Sequence, residues 1–157
     1  MKERYLRSLR LLSECYHGFE QMSAPSIRKT GLTQAQFDII ATLGNTPGMT
    51  FKELGQKTLI TKGTLTGVVD RLVAKQLVRR ITSLEDRRNT IVQLTAAGEH
   101  TFEQVFDPHV QFCKQPFCDY AEADFVALEA NLGRLKIRLD ATIAAIKKAA
   151  PGKKSGI

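Results

Sequence analysis

The stretch KGTLTGVVDRL, Lys62 to Leu72, decides how the whole chain is read. Leu65, Val68, Val69 and Leu72 recur at threes and fours, the spacing of one helical face, and Val73 extends the run. The early positions between them, Lys62, Gly63, Thr64, Thr66 and Gly67, are small or polar. A helix of this kind buries one face and keeps a slim, polar leading half, which is the shape that enters a DNA major groove. Thr61 stands at the N-cap position, and the free backbone N–H groups of a helix start suit phosphate.

Working outward toward the N-terminus, Thr50-Phe51-Lys52-Glu53 is a capping box. It opens a helix of two turns with Phe51 and Leu54 inward, closed by a turn over Thr58-Leu59-Ile60-Thr61. Before it, Thr33-Gln34-Ala35-Gln36 opens another helix, with Phe37, Ile40, Ala41 and Leu43 as its apolar face. Gly44-Asn45-Thr46-Pro47-Gly48 stops that helix. On the C-terminal side, Leu77 to Thr82 and Thr90 to Leu94 favour strand and flank the polar stretch Ser83 to Asn89. The expectation is a hairpin whose long, charged tip carries Asp86, Arg87 and Arg88, placed to reach a neighbouring minor groove. Strand alternation turns one of Arg79 and Arg80 outward. A phosphate contact and an ion pair with Glu85 or Asp86 are both open to it.

Three short helices followed by a basic-tipped hairpin is the order of a winged helix-turn-helix. The expected fold class is mainly α with a small β-hairpin wing, plus long N- and C-terminal helices. Residues 1–29 form the first of these, with Leu6, Leu9, Leu12, Tyr16, Phe19 and Met22 on one face; Pro25 is expected to end or kink it. Residues 96–107 present Phe102, Val105 and Phe106, and Pro108 and Pro116 predict a break or kink beyond them. Over 122–149, Phe125, Leu128, Leu132, Leu135, Leu139, Thr142 and Ile146 alternate steps of three and four, a heptad-like seam. A winged helix alone is too small to cover so many apolar side chains, so a homodimer built from both termini is expected. The domain organisation follows: 1–30 and 99–149 for dimerisation, 31–98 for DNA binding, and 150–157 a disordered basic tail.

Composition sets the outer limits. The chain has 157 residues, 43% hydrophobic and 25% charged, which fits one folded domain and argues against disorder. No apolar run is long enough to span a bilayer, and the start alternates charged with apolar residues, unlike a signal peptide. Three cysteines at irregular spacing argue against a disulfide scaffold. A cytoplasmic protein without membrane association is expected. The net charge of +7 is unevenly placed. Residues 50–93 hold nine basic side chains against four acidic ones, while outside them and the last eleven residues acids outnumber bases, twelve to ten. A central basic segment in a near-neutral chain suits a polyanion-binding surface, here double-stranded DNA.

The stretch Thr50 to Gly98 resembles the MarR family of bacterial transcription regulators. The resemblance rests on KGTLTGVVDRL (62–72), LVRR (77–80) and EDRRNTIVQLTAAG (85–98), of which Asp-Arg-Arg, strand, Leu-Thr-x-x-Gly is the specific part. It extends more loosely over residues 1–149. It implies a homodimeric repressor without a cofactor, released by a small aromatic acid or an oxidant. By the resemblance, Arg88 is the wing arginine of the minor groove and Asp86 the acid that orients the wing. Gln76 departs from the pattern, since the family usually has Gly or another left-handed-tolerant residue there.

Two other readings were open on the residues alone. Cys15, Cys113 and Cys118 offer a redox switch, and His109, four residues before Cys113, brings a second ligand type near that thiol. Cysteine more often behaves as a small buried hydrophobe, and Cys15 is out of register with the sensing cysteine of hydroperoxide-responsive MarR members. No metal site is expected. A Gly-rich phosphate loop and the His-Glu-x-x-His, Cys-x-x-Cys and Gly-x-Ser-x-Gly motifs are all missing, so an enzyme is not expected. A winged helix serving as a protein-interaction module is the alternative, but it leaves the central cluster of cations without a purpose.

Overall fold

The computed structural model describes residues 3–82 and 89–149. In chain order the elements are α1 (Arg4–Arg28), α2 (Gln34–Leu43), β1 (Met49–Thr50), α3 (Phe51–Thr58), α4 (Lys62–Ala74), β2 (Val78–Thr82), β3 (Thr90–Leu94), α5 (Ala96–Cys113), a 3-10 turn (Gln115–Phe117) and α6 (Glu122–Ala149). Residues 1–115 form one compact unit and residues 116–157 another. The expected tail, 150–157, lies outside the described residues.

Both capping boxes form. Gln36 N–H donates to Thr33 Oγ1 (3.3 Å) while Thr33 N–H donates to Gln36 Oε1 (3.2 Å). Glu53 N–H donates to Thr50 Oγ1 (3.3 Å) and Thr50 N–H to Glu53 Oε2 (2.9 Å). The bonds from Thr50 hold the Glu53 carboxyl below the usual carboxylate range. Gln36 is itself buried, and its Oε1 also accepts from Lys75 Nζ (3.4 Å), which donates to Gly31 O as well (3.3 Å). The end of α4 is thereby tied to the start of α2. Between the helices lies a closed apolar core: Ile39, Ile40, Leu43, Leu54, Leu65, Val69, Leu72, Val78 and Val92 are all essentially inaccessible. Ile39 joins the α2 face assigned from the sequence, whereas Val73, expected inside, is 37% exposed at the far edge of α4.

The hairpin is part of a three-stranded antiparallel sheet in the order β1-β3-β2. Met49 pairs with Val92, and the β2–β3 ladder runs from Val78↔Leu94 to Thr82↔Thr90. β1 was not expected. Two residues leave no readable alternation, and only pairing with β3 makes them a strand. The strand expected from Leu77 begins at Val78 because Leu77 closes α4 instead. Leu77 N–H donates to Leu72 O (3.0 Å) and Gln76 N–H to Val73 O (2.8 Å), the two bonds of a Schellman ending. This requires Gln76 to be left-handed, and its φ is 59°.

The passage from sheet to α5 is tighter still. Thr95 N-caps α5 by accepting from Gly98 N–H (3.0 Å), and its hydroxyl donates to Gln76 O (2.6 Å). Thr95 N–H donates to Leu77 O (3.1 Å). A Cβ at Gly98 would overlap that same Leu77 carbonyl, so the helix comes this close only on a glycine.

Neither proline ends its helix. α1 continues through Pro25 because Ser23 before it and Ile27 beyond it, one turn apart, are both buried. α5 continues through Pro108 because the next residue, His109, docks: its ring lies 4.4 Å from that of Phe37, and Nδ1 is 3.2 Å from Ser26 Oγ on α1. Tertiary contact on the far side outweighs the hydrogen bond each proline removes. Over Arg4 to Phe19, by contrast, α1 leaves Leu6, Leu9, Leu12, Tyr16 and Phe19 exposed.

In the second unit, Phe117, Tyr120 and Phe125 form an aromatic cluster with ring centroids 5.3–5.8 Å apart. Ala121 N–H donates to Asp124 Oδ2 (2.9 Å) at the start of α6. Leu128, Leu132, Leu135, Leu139 and Ile146 all stand exposed along α6, and no residue of that helix is buried.

Two stability predictions follow from these contacts. Gln76→Gly removes a left-handed side chain and should stabilise the fold by about 0.5–1 kcal/mol, while Gly98→Ala should cost about 2–3 kcal/mol, both read from chemical denaturation. Burial lowers the His109 pKa from its ordinary 6.5, so the folded chain resists a proton that the unfolded chain accepts. That contribution is complete above about pH 6.5 and is lost on acidification below it. His109→Gln should therefore flatten the decline of the denaturation midpoint between about pH 7.5 and 5.

Candidate nucleic-acid interface

Lys62, Gly63, Thr64 and Thr66 are all exposed on the first turns of α4, while Leu65 between them is buried. The helix therefore presents the predicted edge. A Cβ at Gly63 would meet nothing within 4 Å, so packing does not require glycine there and its effect is to keep the edge slim. Thr61 occupies the N-cap but makes no capping bond, contrary to expectation; its hydroxyl donates to Thr64 Oγ1 (3.2 Å). Thr61 thus leaves the first backbone N–H groups of α4 uncapped by its own side chain, and among the described residues no other side chain accepts from them, as an anion site at a helix start requires. Thr66 Oγ1 donates to Lys62 O (3.3 Å), which holds its methyl and hydroxyl in one orientation along the edge.

Beside this edge runs a groove that sequence reasoning missed. Lys52 and Gln56, one turn apart on α3, line it together with Phe51, Lys62, Asn89 and Thr90. The signal was present in the i, i+4 spacing of Lys52 and Gln56 on the outer face of a helix whose inner face is Leu54.

Asp86, Arg87 and Arg88 lie outside the described residues. The base of the wing is described, and there both strand arginines find partners within the fold; Glu85 and Asp86, the acids offered to them by the sequence, lie outside the described residues. Arg80 shares the face of Val78 and Val92 and meets Asp70 on α4, Nη2 to Oδ1 at 2.6 Å, while its guanidinium stacks 5.4 Å from the centroid of Phe51. Arg79 points to the other face and donates from Nε and Nη2 to Oε1 of its cross-strand neighbour Gln93 (3.1 and 3.0 Å). The Asp70 pair links wing and helix; being exposed, it fixes geometry more than it adds stability.

The cysteines are free and scattered. Cys15 and Cys118 are exposed and Cys113 is half-buried. α5 ends at Cys113, so Cys113 and Cys118 share no helical face. Cys113 does meet His109, Sγ to Nε2 at 3.3 Å. Burial pushes the thiol up and the imidazole down, so the contact is one of neutral partners, opposite to the thiolate–imidazolium pair of a reactive cysteine. Among the described residues no three His, Cys, Asp or Glu side chains converge as a metal site. Nor is any helix among them long and apolar enough to cross a membrane.

Comparison with known proteins agrees with this geometry. Residues 32–90 match the sequence model of the MarR family. The HTH-type transcriptional regulator MhqR of Bacillus subtilis is 31% identical over 109 residues, 69% of this chain and 75% of its own. Two solved structures superpose well. AbsC, a MarR family transcriptional regulator from Streptomyces coelicolor, gives a TM-score of 0.79 over 90% of this chain and 97% of its own, at 24% identity, and so speaks to the fold. BpsR of Bordetella bronchiseptica, whose DNA binding is regulated by 6-hydroxynicotinic acid, gives 0.71 over 83% and 98%, at 26% identity. With its winged helix-turn-helix, its Leu-Thr-x-x-Gly joint and these relatives, the chain belongs to the MarR family of transcriptional regulators.

Proposed function

We propose that this protein is a cytoplasmic repressor that binds a palindromic operator as a homodimer and is released by a small aromatic acid. The exposed, uncapped start of α4 carries this reading. Lys62, Gly63, Thr64 and Thr66 enter the major groove, with Lys62 on phosphate and the threonine hydroxyls and methyls at base edges. Arg87 and Arg88, from the wing tip, reach the flanking minor groove with Asp86 as the orienting acid. Residues 31–98 are the DNA-binding region. The flanking segments 1–30 and 99–149 form the dimer, supported by the apolar residues left exposed on α1 and α6. The choice of effector class is supported by the ligand of BpsR.

Selection of genomic fragments by the purified protein, with and without aromatic acids such as salicylate, tests the reading at its root. Recovery of one inverted repeat, lost on adding the acid, is the expected result. On that operator, Arg88→Ala should weaken binding by about 1–3 kcal/mol with an unchanged melting temperature. Lys62→Ala should reduce the dependence of affinity on salt, measured as the slope of log K against log salt.

Operator geometry gives a test independent of any single residue. Two recognition helices of a two-fold dimer enter major grooves on one face of the duplex, so half-site centres should lie about 10–10.5 base pairs apart. Inserting five base pairs between them turns one half-site to the opposite face. Affinity in a gel-shift titration should collapse, and undiminished binding would favour the protein-interaction module instead.

A further inference from the structure

Leu59 is the most exposed large apolar residue described, at 88%, and its backbone is left-handed, with φ 58°. Both features are unfavourable for a leucine: the left-handed region crowds its Cβ, and the side chain gains nothing from burial. Glycine or asparagine would relieve the first and remove the second.

Among the described residues nothing requires the leucine. The turn between α3 and α4 is closed by its neighbours: Thr58 Oγ1 donates to Leu54 O (2.7 Å) and accepts from Ile60 N–H (3.4 Å). Apolar contact with the core is supplied by Ile60, which packs against it. Leu59 projects from the corner immediately before the exposed start of α4, between the exposed cations Lys57 and Lys62. A partner fitting this corner offers anionic groups on either side of an apolar surface. Duplex DNA does so where deoxyribose and the thymine methyl lie beside the phosphates.

We propose that Leu59 is a DNA-contacting residue, its side chain packing on the apolar surface of the duplex beside the phosphates met by Lys57 and Lys62. This rests on the DNA-binding reading above and adds an apolar anchor to it. Among the described residues nothing gains from the leucine, and contact with a bound duplex offsets the left-handed strain.

The test measures stability and affinity on the same variants. Leu59→Gly and Leu59→Asn should raise the melting temperature by about 2–4 °C and yet weaken binding to the selected operator roughly tenfold. Leu59→Met, which keeps the apolar reach, should bind like the wild type. Replacing thymine by uracil at positions flanking each half-site identifies the contact: a loss for the wild type but not for Leu59→Gly places the side chain on a methyl group, and no loss for either places it on sugar. If the Gly and Asn variants become more stable and bind undiminished, the inference is overturned while the DNA-binding reading stands. Absence of duplex binding by the wild type overturns both.

Discussion

The approach of Gly98 to the Leu77 carbonyl is the contact on which the other elements depend. Leu77 ends α4, Gln76 supplies the left-handed turn that ends it, and Thr95 binds both while starting α5. Three elements thus meet at one peptide, with no side chain between α5 and the loop before β2. A methyl group at Gly98 would push α5 away from β3 and Leu94 with it. The Leu-Thr-x-x-Gly string that most specifically marks the family in this sequence is therefore a joint in the scaffold. Its residues hold β3, α5 and the end of α4 in a fixed relation.

What was legible in the sequence was local. The two capping boxes, the helical face of Leu65, Val68, Val69 and Leu72, and the helix over 122–149 each depend on residues within a few positions of one another, and each formed where its spacing required. Failures came where distant contacts decide. Pro25 and Pro108 can end or kink a helix by the rules of isolated peptides, and here neither ends one; Ile27 and His109 hold the far sides through contacts that spacing cannot reveal. The short strand β1 exists only by courtesy of β3.

The candidate interface divides the same way. The exposed residues of α4 could be picked out because a helix whose other face is apolar must turn them to solvent. The partners of Arg79 and Arg80 could not, since Asp70 and Gln93 come near only through the fold. Arg80 illustrates why. It shares the face of Val78 and Val92 yet stays exposed, and its partners, Asp70 and the ring of Phe51, come from other elements.

The pairing of Met49 with Val92 has a topological meaning. It makes β3 the middle strand of the sheet and clasps together two points of the chain between which lie α3, the helix-turn-helix corner and α4. This segment is a closed ring fastened by a ladder. A single cleavage of its backbone would leave two pieces still paired through β1 and β3. The amides of β3, paired on both sides, are accordingly well shielded from exchange with solvent, and opening of α3 and α4 is coupled to loss of that pairing.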